Sequence, residues 1–196
     1  MGGGIKTKTM AKKETTNDSR KKPRFYMEEA IRVMKDSVDE SNKDIPSPRV
    51  GAVLVFPDGT YETACRGEFR EGDHAEYTLL DKKFRIKDVS DCWLFATLEP
   101  CSPGARKEPK ICCAERIANA RIKKVWYGVQ ELNPKAKGGK KYLEKMKLEV
   151  LPFESELHHE ILVFNKDFND WVEEENKKEK IANEVVTGPL QKIVKN

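Results

Sequence analysis

The chain has 196 residues, 38% hydrophobic and 36% charged, with 37 Lys and Arg against 33 Asp and Glu. That length supports one well-buried core with tails and leaves little room for two full domains. No apolar run approaches the ~20 residues that cross a bilayer and no secretory leader is visible, so neither a membrane span nor a disulfide-stapled scaffold is expected, and the five cysteines are expected as reduced thiols of a cytoplasmic protein.

Charge is unevenly placed. Residues 1–24 hold eight basic and two acidic side chains, so a total of +4 leaves −2 for the rest of the chain. Residues 1–22, rich in Gly, Lys, Thr and Asn, have no apolar period and are expected to be a disordered basic leader, either solubilising or phosphate-contacting. The domain is expected to span residues 23–177, starting at Pro23.

Met27, Ala30, Ile31, Met34 and Val38 recur at helical spacing, predicting an amphipathic first helix ending near Ser41 and Asn42, before Pro46 and Pro48 break the chain. The β-branched run Val50 to Phe56, the turn Pro57-Asp58-Gly59 and the more polar Tyr61 to Arg66 predict a β-hairpin. A second helix is expected over His74 to Lys83, with Asp73 as its N-cap, and a buried strand over Cys92 to Leu98. Ser102 to Lys110 reads as a loop, Cys113 to Ala120 as a helix, Lys124 to Val129 as a strand, Tyr142 to Met146 as a short helix after Gly138-Gly139, and Leu148 to Leu151 as a fifth strand. Glu154 to about Lys177 is expected to close the domain as one long helix with Leu157, Ile161, Phe164, Phe168 and Trp171 on one face. Glu173 to Glu184 alternates in sign like a solvated helix end, and residues 178–196 are expected to be a linker or the start of a further region. Helical crossovers from the third strand onward imply parallel pairing. The fold class is therefore α/β, a mixed five-stranded sheet between helical layers in an α/β/α sandwich.

The chemistry-bearing residues are His74-Ala75-Glu76, Glu99-Pro100-Cys101 and Cys112-Cys113. A zinc that activates water needs three protein ligands and one open position. His74, Cys101 and one of Cys112 or Cys113 supply three, and Glu76 is the acid left over to move protons. His74 and Glu76 can converge only in the first turn of a helix, because residues two apart in its interior point to nearly opposite sides. The competing interpretation is local: Asp73 to Glu76 as an N-capping arrangement with an exposed His. The strand run Trp93 to Thr97 delivers Cys101 at its C-terminal end, where α/β sheets place ligands, and Cys113 would open a helix whose dipole stabilises a thiolate. Cys65 and Cys92 read as buried core thiols. At least one of Trp126 and Tyr127 is expected in the core rather than stacked on a base, and His158 and His159 at the surface. Arg106, Lys107 and Lys110 are either phosphate contacts or a solvated loop.

From about Pro23 to Asn176 the chain resembles the cytidine deaminase superfamily and, within it, the deaminase domain of the riboflavin biosynthesis deaminase-reductase family. The resemblance rests on Val50-Gly51-Ala52-Val53, His74-Ala75-Glu76, Thr97-Leu98-Glu99-Pro100-Cys101-Ser102 and Asn133-Pro134. It implies Zn²⁺ on His74, Cys101 and Cys113, with Glu76 catalytic. Cys112 stands where the family usually has Pro. The resemblance also implies a small aminated base or nucleotide as substrate, contacted at Ser47 and Asn133, and a homo-oligomeric assembly; Arg106 and Lys107 are expected, from the charge of their loop, to contact its phosphate. Ser47 replaces the family's Asn, Pro103 its His, Glu131-Leu132-Asn133-Pro134 its Asp-Pro-Asn-Pro, and Gly138-Gly139-Lys140 its Gly-Arg-Gly. The loop between the cysteines, Ser102 to Cys112, is longer than the family's. These departures bear on substrate recognition rather than on zinc. Two other functions stay open: deamination of a base in single-stranded RNA or DNA, and a non-catalytic zinc module of a larger protein.

Overall fold

The computed structural model describes residues 19–187. The expected leader therefore lies mostly outside the described residues, as do residues 188–196. Its described end packs on the domain: the Arg20 guanidinium sits 3.9 Å from the centroid of the Trp93 ring.

The elements are α1 (Pro23–Met34), β1 (Gly51–Val55), β2 (Tyr61–Cys65), α2 (Ala75–Tyr77), β3 (Trp93–Leu98), α3 (Cys113–Asn119), β4 (Lys124–Val129), α4 (Gly139–Lys145), β5 (Glu149–Pro152), α5 (His158–Phe164) and α6 (Lys166–Thr187). The strands form one sheet in the order β2-β1-β3-β4-β5. β1 is antiparallel to β2 and β3, whereas β3, β4 and β5 run parallel. This is the expected mixed sheet, with helices on both faces.

Alternation along the strands divides the core in two. Ala52, Leu54, Leu94, Val125 and Val150 face Leu79, Ile117 and Leu143 from the α2, α3 and α4 side. Val53, Val55, Phe95 and Trp126 face Met27, Ile31, Met34 and Ile161 from α1 and α5. Trp126 stacks on Phe95 with ring centroids 4.6 Å apart, and Tyr127 is buried, so both are core residues where at least one was expected to be. Gly51 is required where α1 crosses β1, because a Cβ there would lie 1.9 Å from the Ala30 carbonyl oxygen.

Several boundaries differ from expectation, each for a tertiary reason. α1 ends at Met34 rather than near Ser41. The chain leaves the helix because the Val38 N–H donates to the Arg66 carbonyl and the Ser37 hydroxyl to the Val50 carbonyl. The second helix begins with His74, not Asp73, as its N-cap, and changes to a π-helical turn over Thr78–Lys83. The closing helix is broken into a 3₁₀ turn (Ser155–Leu157), α5 and α6. At the break, the buried Asn165 side chain accepts from the Arg49 N–H and donates to the Arg49 carbonyl. As a result Ile161 and Phe168 are buried, while Phe164 on the predicted inner face is exposed.

Candidate active site

Three elements bring the chemistry together at the C-terminal end of β3. His74 sits at the head of α2 with extended backbone (φ −75°, ψ 151°), and Glu76 lies in the first helical turn. That kink resolves the spacing problem, because an N-cap side chain is not bound to the helical phase. Both His74 and Glu76 line one cavity. Cys101 follows β3, and Cys113 opens α3.

The ligand atoms of His74, Cys101 and Cys113 all lie within 4.8 Å of one another. His74 Nδ1 is 3.2 Å from Cys113 Sγ and 3.7 Å from Cys101 Sγ. Tetrahedral zinc, with Zn–S of ~2.3 Å and Zn–N of ~2.0–2.1 Å, separates its donors by roughly 3.6–3.8 Å. The His74–Cys101 separation matches that ion and the His74–Cys113 separation is a few tenths of an ångström shorter, so one imidazole and two thiols could hold it and leave its fourth position to a non-protein ligand. The Cys113 N–H lies 3.2 Å from Cys101 Sγ. Hydrogen bonding from the Cys113 thiol, acting against burial, holds the Cys101 thiol below its usual range. Burial first, then the charges of Arg66, Arg106, Lys43 and Lys110, keep His74 well below the usual imidazole range, neutral and able to ligate.

Cys112 has a different job. It is the N-cap of α3: its Sγ accepts from the Glu115 N–H at 3.4 Å, while Glu115 accepts from the Cys112 N–H at 3.3 Å. Burial pushes its thiol up to about 12. Cys65 and Cys92 are buried core thiols, also raised by burial, Cys92 to about 11.

The metal-ligand loop is braced from behind. Both oxygens of the buried Glu99 accept backbone N–H groups, from Lys140 at 2.8 Å and Glu131 at 3.3 Å. This ties the end of β3 to the start of α4. There Gly139 packs so closely that a Cβ would lie 1.6 Å from the Pro100 carbonyl oxygen. The Gly138-Gly139 pair expected as a break is thus also a seat for the Cys101 loop.

In front of the ligands is a cavity of about 210 Å³. Glu76 is 3% exposed, and burial raises its carboxyl above the usual range. Ser47, Arg106 and Asn133 line the cavity. Ser47 donates to Glu40 at 3.2 Å, and Arg106 also reaches the Gly72 carbonyl at 3.4 Å. Lys107 is exposed and is not among the residues that line the cavity. Sequence reasoning missed Lys43 and Arg66, and placed Phe168 and Trp171 on one face of the closing helix without seeing that they form a cavity wall. His158 is half-buried against the Phe153 carbonyl at 3.0 Å, and His159 is exposed.

Residues 20–129 match the model of the cytidine and deoxycytidylate deaminase zinc-binding region, and the chain belongs to that family. It is 32% identical over 127 residues to the riboflavin biosynthesis protein RibD of Bacillus amyloliquefaciens, covering 64% of this chain and 32% of that protein. The corresponding Mycobacterium tuberculosis protein is 33% identical over 105 residues, covering 54% and 30%. The chain therefore spans about a third of the length of these curated relatives. Among solved structures, a diaminohydroxyphosphoribosylaminopyrimidine deaminase/5-amino-6-(5-phosphoribosylamino)uracil reductase from Thermotoga maritima superposes with a TM-score of 0.64 at 24% identity, covering 77% of this chain and 41% of that one. A cyanophage S-TIM5 dCMP deaminase in apo form gives 0.50 at 24%, covering 68% and 100%. Zinc is the metal of this family, and the His-Cys-Cys group is of the kind that holds it. Among the described residues, no helix is long and apolar enough to cross a membrane.

Proposed function

We propose that this chain is a hydrolytic deaminase that replaces the exocyclic amino group of a pyrimidine-like base or nucleotide by oxygen, with a riboflavin-type diaminopyrimidine nucleotide as the substrate class. His74, Cys101 and Cys113 hold zinc, which when bound lowers the pKa of water from 15.7 to about 7 and so makes hydroxide available at neutral pH. The observation that carries this reading is Glu76: a buried carboxylate in the cavity of the metal ligands that is not one of them. A purely structural zinc site has no use for such a group.

The remaining steps belong to the chain's own residues. Glu76 accepts the proton of the attacking water and gives it to the ring nitrogen beside the amino-bearing carbon. A second proton passes through Glu76 to the amino group, the C–N bond breaks, and ammonia leaves as the ring C=O forms. The raised carboxyl of Glu76 suits a group that must both take and return a proton near neutrality. Phe168 and Trp171 offer an apolar wall for a flat ring, Asn133 and Ser47 polar edges, and Arg106 a cation for a phosphate. Residues 23–177 form the catalytic domain, acting on a small molecule as a homo-oligomer.

The test is turnover. The zinc-loaded protein is incubated with 2,5-diamino-6-(ribosylamino)-4-pyrimidinone 5′-phosphate, with CMP and with dCMP, and ammonia is measured beside the mass of each product. The proposal expects equimolar ammonia and an amino-to-oxo exchange with the diaminopyrimidine nucleotide. Release from CMP or dCMP alone would replace that substrate class, and release from none would refute the reading.

A further inference from the structure

Arg66 follows β2 and is 6% exposed, yet it lines the same cavity as Glu76 and His74. Its backbone is pinned on both sides, its N–H to the Val50 carbonyl at 2.8 Å and its carbonyl to the Val38 N–H at 2.9 Å. The guanidinium uses only Nη2, which donates to Glu40, while Nε is enclosed without a partner. Among the described residues the guanidinium makes no other hydrogen bond or ion pair. Glu40 is itself shared, since it also receives Lys43 at 2.7 Å and the Ser47 hydroxyl. A guanidinium offers five N–H donors, and a buried cation so sparsely paired is costly unless something else fills its donors. The residue borders the cavity, where an acceptor on a bound molecule can meet the donors that Glu40 leaves over.

We propose that Arg66 is a specificity-determining residue, whose unpaired N–H edge donates to an oxygen acceptor of the substrate, a ring carbonyl or a phosphate oxygen. Its depth next to Glu76 and His74 favours the ring carbonyl, with Lys43 and Arg106 as the other cations of the cavity wall. The planar fork pins an oxygen in direction as well as in charge, so the site discriminates against aminated rings that lack one. Omission of an oxygen leaves the buried donors empty, the situation in which enzymes discriminate most strongly. The identity of the ring rests on the deaminase reading. The demand for an oxygen acceptor does not.

The experiment measures binding by calorimetry in zinc-loaded Glu76→Gln protein, where turnover is blocked. Two probe pairs differ in the ring oxygen, isocytosine against 2-aminopyrimidine and cytosine against 4-aminopyrimidine, and a third, CMP against cytidine, differs in the phosphate. Arg66→Gln should lower the preference for the oxygen-bearing member of at least one pair by about 10–100-fold, and Arg66→Lys, which keeps the charge without the fork, by less. Loss confined to the ring pairs assigns the carbonyl, and loss confined to the third pair assigns the phosphate. Each preference is a ratio within one variant, so partial unfolding cancels, and Arg66→Lys carries the test if Arg66→Gln does not fold. Preferences unchanged in both variants, or no preference in the parent protein, would overturn the proposal. Absence of ammonia release by the wild type would count against deamination and leave these ratios readable.

Discussion

The N–H of Cys113 points at Cys101 Sγ across 3.2 Å, so the first residue of α3 both offers a thiol to the metal and donates a hydrogen bond to the neighbouring ligand. Cys101 is consequently the site's preferred thiolate, while burial and the Cys101 sulfur hold Cys113 above its usual range until a metal binds. In chelator-treated protein at pH 7.5, iodoacetamide should label Cys101 ahead of Cys92 and Cys112, whose buried thiols sit near 11 and 12. Peptide mapping checks the order, and Cys112 labelled first would contradict it.

The two adjacent cysteines should separate cleanly on substitution. Cys113→Ser is expected to lose zinc, whereas Cys112→Ser should keep it and change stability by no more than about 1 kcal/mol, because serine is itself a favoured N-cap residue. Metal analysis with thermal melts distinguishes the two. Loss of zinc in Cys112→Ser alone would reverse their roles.

Gly139→Ala should act on the metal at a distance. A methyl group there collides with the Pro100 carbonyl, and relief requires the segment just before Cys101 to move. We expect weaker zinc retention together with a fall in stability of about 1–3 kcal/mol. Competition with a chromophoric chelator reads the first and denaturant unfolding the second. Unchanged zinc affinity would show that the seat does not position Cys101.

Asn165→Ala should be purely structural. It removes the side chain that satisfies both backbone groups of Arg49 and leaves them unpaired, a loss of about 1–3 kcal/mol per stranded group. Zinc content should stay at the wild-type value. A fall in zinc without a fall in stability would mean that Asn165 serves the site instead.

The sheet and its order of elements were legible because β-branched runs and helical apolar spacing are local signals, and Val53, Leu94 and Val125 fall in the core as their patterns require. The zinc group was legible because His74, Cys101 and Cys113 each stand at a recognisable element end. The N-cap was misplaced because Asp73, suited to capping by type, is instead buried and paired with Arg70 at 2.7 Å. The break at Asn165 and the early end of α1 depend on Arg49 and Arg66, partners remote in sequence, so no periodicity carries them. Arg66 was missed for the same reason: nothing next to it in the chain reveals that Glu40 takes one of its donors or that its side chain borders a cavity.

The central claim, a zinc hydrolase in which Glu76 moves protons without holding the metal, is tested most directly by measuring zinc stoichiometry and ammonia release in wild-type and Glu76→Gln protein purified under reducing conditions. The account predicts one zinc per chain in both proteins, with ammonia release from the wild-type substrate falling by at least 10²-fold in the variant. Zinc lost with Glu76→Gln, or ammonia release undiminished in that variant, would contradict it.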